Sequence, residues 1–209
     1  MVQHNAEANT AGRQPSPAGR LIVLSGPAGA GKTTVAERLC RETGIRRSVS
    51  ATTRPPRPGE VDGRDYLFLT EEEFQRRLAA GGFIEHARVH GARYGTPRAP
   101  LEEALRAGQS RLLVIDVQGA MQVKRHCPEA LLLFLDAPDA ALDQRLTGRA
   151  TEDGQHRQRR LAAAAAERHY KEQYDHCVVN DGLDQAVAEL RTILTRGRTP
   201  EDRRHTLDG

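Results

Sequence analysis

The feature that most constrains the fold is a glycine-rich loop between an apolar run and a helical pattern. Residues 21–34 read L-I-V-L-S-G-P-A-G-A-G-K-T-T, and the spacing from Gly26 to Gly31-Lys32-Thr33 fits the phosphate-binding P-loop. Glycine lets such a loop turn sharply and bring bare backbone N–H groups against phosphate oxygens. The following helix adds the positive end of its dipole. The stretch therefore predicts a nucleotide phosphate site.

The loop residues have predicted contacts with a nucleoside triphosphate. The Lys32 ammonium would reach the β and γ phosphates, and the Thr33 hydroxyl would bind Mg²⁺. The predicted ATP-binding residues of the loop are Gly26, Pro27, Ala28, Gly29, Ala30, Gly31, Lys32, Thr33 and Thr34. The alternative is a flexible glycine loop with a chance lysine, and it does not explain why strand, loop and helix arrive in the required order.

Strand and helix patterns alternate along most of the chain. Buried strands are predicted at residues 21–24, 48–51, 112–115, 131–135 and 176–180. The alternation predicts an α/β fold of the P-loop NTPase type, with three layers and a five-stranded parallel core sheet that binds ligands at its carboxyl edge. Residues 52–99 interrupt the pattern and predict an inserted mixed sheet. Thr70 is predicted to begin a helix as part of a capping box, and Thr96-Pro97 to begin another.

Composition excludes several classes of partner. Aromatic residues make up 4% of the chain and tryptophan is absent, so the sequence lacks a stacking platform for nucleic acid despite its pI of about 9.0. Three widely spaced cysteines form no metal or disulfide pattern, which suits a reducing compartment. No apolar run approaches the ~20 residues of a membrane span. We therefore expect a cytoplasmic protein without nucleic-acid or membrane partners.

The two ends of the chain read differently from the middle. Residues 1–20 are rich in Ala, Gly, Pro, Gln and Asn and lack the hydrophobic stretch of a signal peptide, so we expect a disordered extension. Residues 197–209 form a polar tail.

A proline-stiffened segment follows the second predicted strand. Residues 52–60 read T-T-R-P-P-R-P-G-E and cannot form a helix. Arg54 and Arg57 lie three residues apart in this rigid loop, which would present cationic forks to an anion at low entropic cost. A solvated basic loop explains this stretch equally well when it is considered alone.

Four features together resemble guanylate kinase over roughly residues 21–196. They are the phosphate loop, the segment from Arg54 to Tyr66, the triplet Tyr94-Gly95-Thr96, and Asp116-Val117-Gln118-Gly119. The most specific block is S-A-T-T-R-P-P-R-P-G-E-x-x-G-x-D-Y. The resemblance implies transfer of the γ-phosphoryl of ATP to GMP, and to dGMP, with Mg²⁺. It also implies a core (21–51, 100–141 and 165–196), a GMP-binding subdomain (52–99) and a helical lid (142–164).

The resemblance implies a role for each matched residue. The GMP phosphate would be held by Ser50, Arg54, Arg57, Tyr66 and Tyr94, with Glu60 in the same substrate-binding segment. The guanine would be read by Glu85, Thr96 and Asp116. The ATP phosphates would be covered by Arg145, Arg149 and Arg160, and the adenine would lie beside Asn180. The implied catalytic residues are Lys32, Arg54, Arg145 and Arg160. An exposed basic helix is the alternative for the three lid arginines.

The chemistry of guanine supports the base-reading set. A carboxylate such as Glu85 accepts hydrogen bonds from guanine N1–H and from the 2-amino group, and the Thr96 hydroxyl can donate to O6. Adenine has neither donor and would leave a desolvated carboxylate unpaired, which can discriminate by ~10⁴-fold. The alternative for Glu85 is a solvent-facing strand residue. Asp116 also resembles a metal ligand at the end of a hydrophobic strand, but we favour the guanine role.

The chain departs from the guanylate kinase pattern in places. Val114 stands where the family usually has an acidic residue, so turnover would be reduced if that acid helps to hold Mg²⁺ or orient GMP. Arg149-Ala150 replaces a common Arg-Gly pair, and Arg157 replaces a usual apolar residue. The attacking GMP phosphate oxygen is already anionic, so we expect no strong general base.

Two other functions compete with GMP phosphorylation. One is a related kinase of another small phosphate, such as a sugar phosphate, and the set of guanine-reading residues argues against it. The other is a non-catalytic guanylate-kinase-like module that binds GMP or a phosphopeptide, and the complete phosphate loop argues against that. We expect a monomer or homodimer with GMP and ATP as its small-molecule partners.

Overall fold

The structure is a computed structural model that describes residues 19–89, 91–142 and 162–196. Its strands are β1 (Leu21–Ser25), β2 (Arg46–Arg47), β3 (Ala51–Thr52), β4 (Leu67–Phe68), β5 (Phe83–Val89), β6 (Ala92–Pro97), β7 (Arg111–Val114), β8 (Leu131–Asp136) and β9 (His176–Val179). Its helices are α1 (Lys32–Thr43), α2 (Glu71–Ala79), α3 (Arg98–Arg106), α4 (Val117–His126) and α5 (Leu183–Arg196). Residues 139–142 and 162–168 are also helical.

Five strands form a parallel core sheet in the order β2-β7-β1-β8-β9. The central strand β1 is buried along its whole length. Ile22 and Leu24 pack against α1 and α5 on one face, and Leu21 and Val23 pack against α3 and α4 on the other. The predicted three-layer α/β fold with a five-stranded parallel sheet is therefore confirmed.

A second sheet has the order β4-β3-β6-β5 and contains both kinds of strand pairing. β3 pairs with β4 in parallel, whereas β3 with β6 and β5 with β6 are antiparallel. Helix α2 covers this sheet through Phe74, whose ring stacks on Phe83 with centroids 4.5 Å apart. Thr70 caps α2 as predicted, since its hydroxyl accepts from the Glu73 backbone N–H at 3.1 Å.

The prediction of a core strand at residues 48–51 is wrong by several residues. Gly44 ends α1 with φ of 74°, and the chain enters the core sheet at once as β2. Ala51 and Thr52 belong instead to the second sheet, where both are fully buried. A two-residue strand carries no periodicity of its own, so its partners decide which sheet it joins.

The prediction that Thr96 caps α3 and that Pro97 is its first residue is wrong by one residue. Thr96 lies in β6 and pairs with Glu85 of β5, and Pro97 holds the N-cap position. The Thr96 hydroxyl donates to the Glu85 carboxylate at 2.7 Å, so its side chain is directed to the neighbouring strand, and α3 has no side-chain cap hydrogen bond. The tertiary contact wins over the local capping preference.

The carboxyl ends of the parallel strands lie at one edge of the core sheet. β1 leads into the phosphate loop, β7 is followed by Asp116, and β9 is followed by Asn180. Ligands bind at this edge in open parallel sheets. In the part of the chain that the structure describes, no helix is long and apolar enough to cross a membrane.

Candidate active site

The phosphate loop has the backbone that its glycines predict. Gly26, Gly29 and Gly31 have φ of 139°, 87° and 88°, which L side chains rarely adopt. At Gly26 the space is also closed, because a Cβ atom would lie 2.0 Å from the carbonyl oxygen of Leu135 in β8. The close approach of two backbones therefore requires glycine at this position.

Lys32 is the first residue of α1 and folds back over the loop. Its ammonium donates to the carbonyl oxygens of Gly26 at 2.5 Å and Pro27 at 2.9 Å. Burial lowers the pKa of Lys32, and the carboxylates of Glu167 and Asp116 oppose this effect. The loop thus encloses a cation whose charge is supported by two nearby carboxylates.

Asp116 is the N-cap of α4. Its Oδ1 accepts from the Gly119 backbone N–H at 2.8 Å. Val114, two residues earlier, packs on the face of the core sheet that carries α1. Asp116 is thus held by the first turn of its own helix, within electrostatic reach of both Glu85 and Lys32.

Glu85 lies in a buried slot between the two sheets. Its side chain is 3% exposed, so the alternative of a solvent-facing strand residue does not fit. The Thr96 hydroxyl donates to Glu85 Oε1, and no partner other than Thr96 is found for this carboxylate within residues 19–89, 91–142 and 162–196. Burial raises the pKa of Glu85 to about 7, and the charge of Asp116 adds to the shift. The Glu85 carboxyl group therefore lies in an environment of low polarity and can accept further hydrogen bonds.

The proline-stiffened segment forms a second polar cluster. Arg54 binds Glu60 through two hydrogen bonds of 3.0 and 2.9 Å, and Glu60 also accepts from the Arg57 backbone N–H at 2.7 Å. The Arg54 guanidinium lies over the Tyr66 ring at 5.5 Å, and Tyr66 meets Tyr94 edge-on at 6.1 Å. The Arg54 hydrogen bonds and the Arg57 N–H hold the pKa of Glu60 below its usual range. Arg54 is thus oriented on a rigid loop.

The remaining residues of the predicted GMP phosphate set differ in exposure. Ser50 is buried at 8% exposure beside β3, whereas the Arg57 side chain is exposed. The structure therefore brings Arg54, Glu60, Tyr66 and Tyr94 into mutual contact or near-contact, while only the backbone of Arg57 joins them.

Asn180 lies at the end of β9 with 4% exposure. Its side-chain amide donates to the Ala30 carbonyl oxygen of the phosphate loop at 2.7 Å. This contact puts Asn180 on the phosphate-loop side of the site. Arg145, Arg149, Arg157 and Arg160 lie outside the described residues, so their predicted roles stay predictions.

Three residues of the site were missed in the sequence. Glu167, in the helical residues 162–168, influences the pKa of Lys32, but the surrounding alanine-rich run carries no sign of a functional residue. Arg168 fixes this helix to the end of β8 through Asp136 Oδ1 at 2.8 Å and the Ala137 carbonyl at 2.7 Å. Gly119 belongs to a motif of the resemblance, but its sequence position assigned it no task.

The donor set fits a magnesium ion held mainly by a nucleotide. Thr33 follows Lys32 in the first turn of α1, beside the loop. Within the described residues, no group of three or more His, Cys, Asp or Glu side chains could hold a metal ion. Mg²⁺ in nucleotide enzymes usually keeps its waters and binds through substrate phosphates with one or two protein oxygens. The site suits that mode of binding.

Comparisons with known proteins agree with this geometry. A family model described as guanylate kinase matches residues 18–197. A guanylate kinase from Symbiobacterium thermophilum is 49% identical over 180 residues, which cover 85% of each chain. One from Leifsonia xyli is 51% identical over 178 residues, covering 83% of this chain and 70% of the relative. The crystal structure of guanylate kinase from Anaplasma phagocytophilum is similar with a TM-score of 0.72 and 36% identity, covering 90% of each chain.

Proposed function

The chain belongs to the guanylate kinase family, and on that premise we propose which residues carry each part of its reaction. Guanylate kinases are ATP:GMP phosphotransferases, so this chain transfers the γ-phosphoryl of ATP to GMP and releases ADP and GDP. GMP and ATP are its small-molecule substrates. The observation that carries the base specificity is the buried Glu85 carboxyl group, for which Thr96 is the one hydrogen-bond partner found among the described residues.

The phosphate loop binds the donor nucleotide. Backbone N–H groups of residues 28–34 surround the phosphates, and the Lys32 ammonium exchanges the Gly26 and Pro27 carbonyls for β and γ phosphate oxygens. The Thr33 hydroxyl would hold Mg²⁺, which would neutralise part of the charge of the nucleotide phosphates. Asn180 stabilises the loop through its hydrogen bond to the Ala30 carbonyl oxygen, and it lies beside the proposed position of the adenine.

The acceptor phosphate binds to the cluster on the second sheet. Its oxygens accept hydrogen bonds from Ser50, Arg54, Arg57, Tyr66 and Tyr94. The pairing of Arg54 with Glu60 keeps its guanidinium oriented, which lowers the entropic cost of binding an anion. Arg57 joins from its exposed position when GMP arrives.

The guanine base binds in the slot of Glu85. The ionised carboxylate accepts from N1–H and from the 2-amino group, while Asp116 and Thr96 complete the set around the base. Thr96 already donates its hydroxyl proton to Glu85 in this structure, so its first task is to orient that carboxylate. Adenine would leave the buried carboxylate unpaired, which is costly in an environment of low polarity.

Phosphoryl transfer follows from position and charge. An anionic oxygen of the GMP phosphate attacks the γ-phosphorus, and the bond from that phosphorus to the bridging oxygen of ADP breaks. Lys32 and Arg54, with Arg145, Arg149 and Arg160 of the predicted lid, stabilise the charge on the equatorial oxygens. No proton has to be removed from the attacking oxygen, so the reaction needs no general base.

Several finer points remain predictions of the sequence. They are a cytoplasmic location, a monomeric or homodimeric state, the use of dGMP, and reduced turnover because of Val114. The alternatives of a sugar-phosphate kinase and of a non-catalytic module have no observation in their favour.

The test is ADP production from MgATP with GMP, AMP, CMP, UMP or dTMP as acceptor. Wild type should turn over GMP alone among these five. Glu85→Gln should lower kcat/KM for GMP by about 100-fold or more, because a neutral amide offers one acceptor for two guanine donors. Glu103→Gln changes an exposed glutamate of α3 and is the matched control. GMP kinetics in Glu85→Gln that equal those of the control would remove Glu85 from the site.

A further inference from the structure

Gly119 of α4 contacts the carboxyl group of Glu85. A Cβ atom at position 119 would lie 2.6 Å from Glu85 Oε2, 3.3 Å from Glu85 Cδ and 3.3 Å from Ile115 Cδ1. A distance of 2.6 Å is far inside the normal contact distance between carbon and oxygen. Any side chain at position 119 would therefore displace the Glu85 carboxyl group from where it lies.

The backbone at Gly119 gives no other reason for glycine. The residue lies inside α4 and is not among the glycines with positive φ. A glycine inside a helix costs about 1 kcal/mol relative to alanine. In the described structure, the space taken by the Glu85 carboxyl group, with the smaller contact of the Ile115 side chain, therefore accounts for glycine here.

The Glu85 carboxyl group is held from both sides. Thr96 of β6 donates to Oε1 from within the second sheet, and Gly119 lies against Oε2 from the core. The Gly119 backbone N–H donates to Asp116 Oδ1 at 2.8 Å. One residue thus borders both carboxylates of the proposed guanine-reading set.

Strand β5 cannot retreat freely from this contact. Three residues beyond Gly119, the Gln122 side-chain amide accepts from the His86 N–H at 3.1 Å and donates to the His86 carbonyl at 2.7 Å. These bonds satisfy β5 on its open edge, directly beside Glu85. A side chain at position 119 would therefore turn the Glu85 side chain rather than shift the strand.

We propose that Gly119 is a specificity-determining positioning residue of this enzyme. By lacking a side chain it forms a slot that seats the Glu85 carboxylate at the depth and angle needed to accept both guanine donors. Base selectivity is thus set by contact between two structural units, since Glu85 lies on the second sheet and Gly119 on a helix of the core. This inference rests on the proposed role of Glu85 as the guanine acceptor.

The experiment compares GMP with inosine monophosphate, which keeps N1–H but lacks the 2-amino group. Gly119→Ala should raise KM for GMP. It should also lower kcat/KM for GMP relative to kcat/KM for inosine monophosphate by about 10-fold, because the turned carboxylate no longer accepts from both guanine donors. KM for ATP and kcat at saturating GMP should each stay within about 3-fold of wild type, since the phosphate sites are untouched. Unchanged KM for GMP and an unchanged ratio would overturn the proposal.

Two controls separate positioning from a general defect. The thermal midpoint of Gly119→Ala should stay close to that of wild type, because the better helix propensity of alanine offsets the cost of turning the Glu85 side chain. Gly182→Ala is the matched variant, because position 182 has no positive φ and no atom within 4 Å of an added Cβ. It should leave KM for GMP and the acceptor ratio unchanged.

A double-mutant cycle with Glu85→Gln completes the test. If Gly119 acts through the Glu85 carboxylate, Gly119→Ala should have little further effect on the acceptor ratio in the Glu85→Gln background. Equal effects in both backgrounds would show that Gly119 acts elsewhere and would overturn the inference. If Glu85→Gln itself leaves the ratio unchanged, the proposed role of Glu85 fails first. A large effect of Glu85→Gln with none for Gly119→Ala removes Gly119 alone. A loss of stability in Gly119→Ala is checked by its thermal midpoint and not by the cycle, because residues 85 and 119 are in contact and their effects on stability need not add.

Discussion

The Asn180 side-chain amide donates a hydrogen bond of 2.7 Å to the Ala30 carbonyl oxygen, across 150 positions of sequence. The contact joins the end of the last core strand to the phosphate loop, and Asn180 is 4% exposed. The loop is therefore braced by the sheet as well as by its own glycines.

Asn180→Ala should loosen this brace. We expect the free energy of unfolding to fall by about 1–2 kcal/mol, because a buried hydrogen bond is lost. KM for ATP should rise while KM for GMP stays unchanged, since Asn180 contacts the donor side only. Urea unfolding and initial-rate kinetics measure both effects. Gln75→Ala removes an exposed amide on α2 and is the control. Equal free energies of unfolding and equal KM values for ATP in the two variants would mean that the Asn180 hydrogen bond does not stabilise the loop.

Gly26→Ala should be among the most damaging single-methyl changes in the chain. The added Cβ would meet the Leu135 carbonyl at 2.0 Å, and φ of 139° disfavours any L side chain. We expect a loss of about 3 kcal/mol or more in the free energy of unfolding. Gly44→Ala is the matched variant, since φ is 74° there but the space is open, and it should cost only about 1–2 kcal/mol. Urea unfolding compares them, and equal losses would show that the close approach to Leu135 adds nothing.

The parts of the site that lie close in sequence could be predicted from it. Strand, glycine loop and helix follow one another from Leu21 to Thr43, so spacing alone indicates the loop and the position of Lys32. The Thr70 cap is local in the same sense, because it and its partner Glu73 are three residues apart. In these stretches the physical cause of the structure is contained within one short window of sequence.

The contacts that shape the base slot could not be predicted in this way. Thr96 precedes a proline at the start of a helix, which is a typical capping pattern, yet its hydroxyl is used by Glu85 on the neighbouring strand. Gly119 and Glu85 are 34 positions apart in the sequence. Glu85 lies in β5 of the second sheet, whereas Gly119 lies in α4, which packs on the core sheet. The sequence pattern around a helical glycine does not show which distant side chain will pack against it.

Val114→Asp should raise turnover. The change puts a carboxylate where guanylate kinases usually have an acidic residue, on the face of the core sheet that carries α1 and Thr33. We expect kcat to rise and the Mg²⁺ concentration for half-maximal rate to fall, at a cost of about 1–3 kcal/mol in stability for a partly buried carboxylate. Mn²⁺ titration in the presence of an ATP analogue gives a reading independent of turnover. Val114→Asn has nearly the same shape without the charge, and an equal gain in both variants would contradict the explanation.

GMP binding should depend on pH through Glu85. Burial raises the pKa of this carboxyl group to about 7, and only the ionised form accepts both guanine donors. KM for GMP should therefore rise as the pH falls below about 7 and level off above it. The GMP phosphate also titrates in this range, so inosine monophosphate, with the same phosphate and one donor fewer, should show a weaker dependence. Parallel pH profiles for the two acceptors would contradict the role of Glu85.

The same pKa predicts how stability depends on pH without GMP. Because the folded pKa is raised above the usual value near 4.5, the Glu85 contribution is fully present below pH 4.5 and is lost as the pH rises through about 7. Glu85→Gln carries no charge at any pH and escapes this loss. The difference in the free energy of unfolding, variant minus wild type, should therefore increase by on the order of 3 kcal/mol between pH 5 and pH 8. Glu103→Gln should track wild type throughout, and a Glu85→Gln curve parallel to both would mean that the carboxyl group is ionised across the whole range.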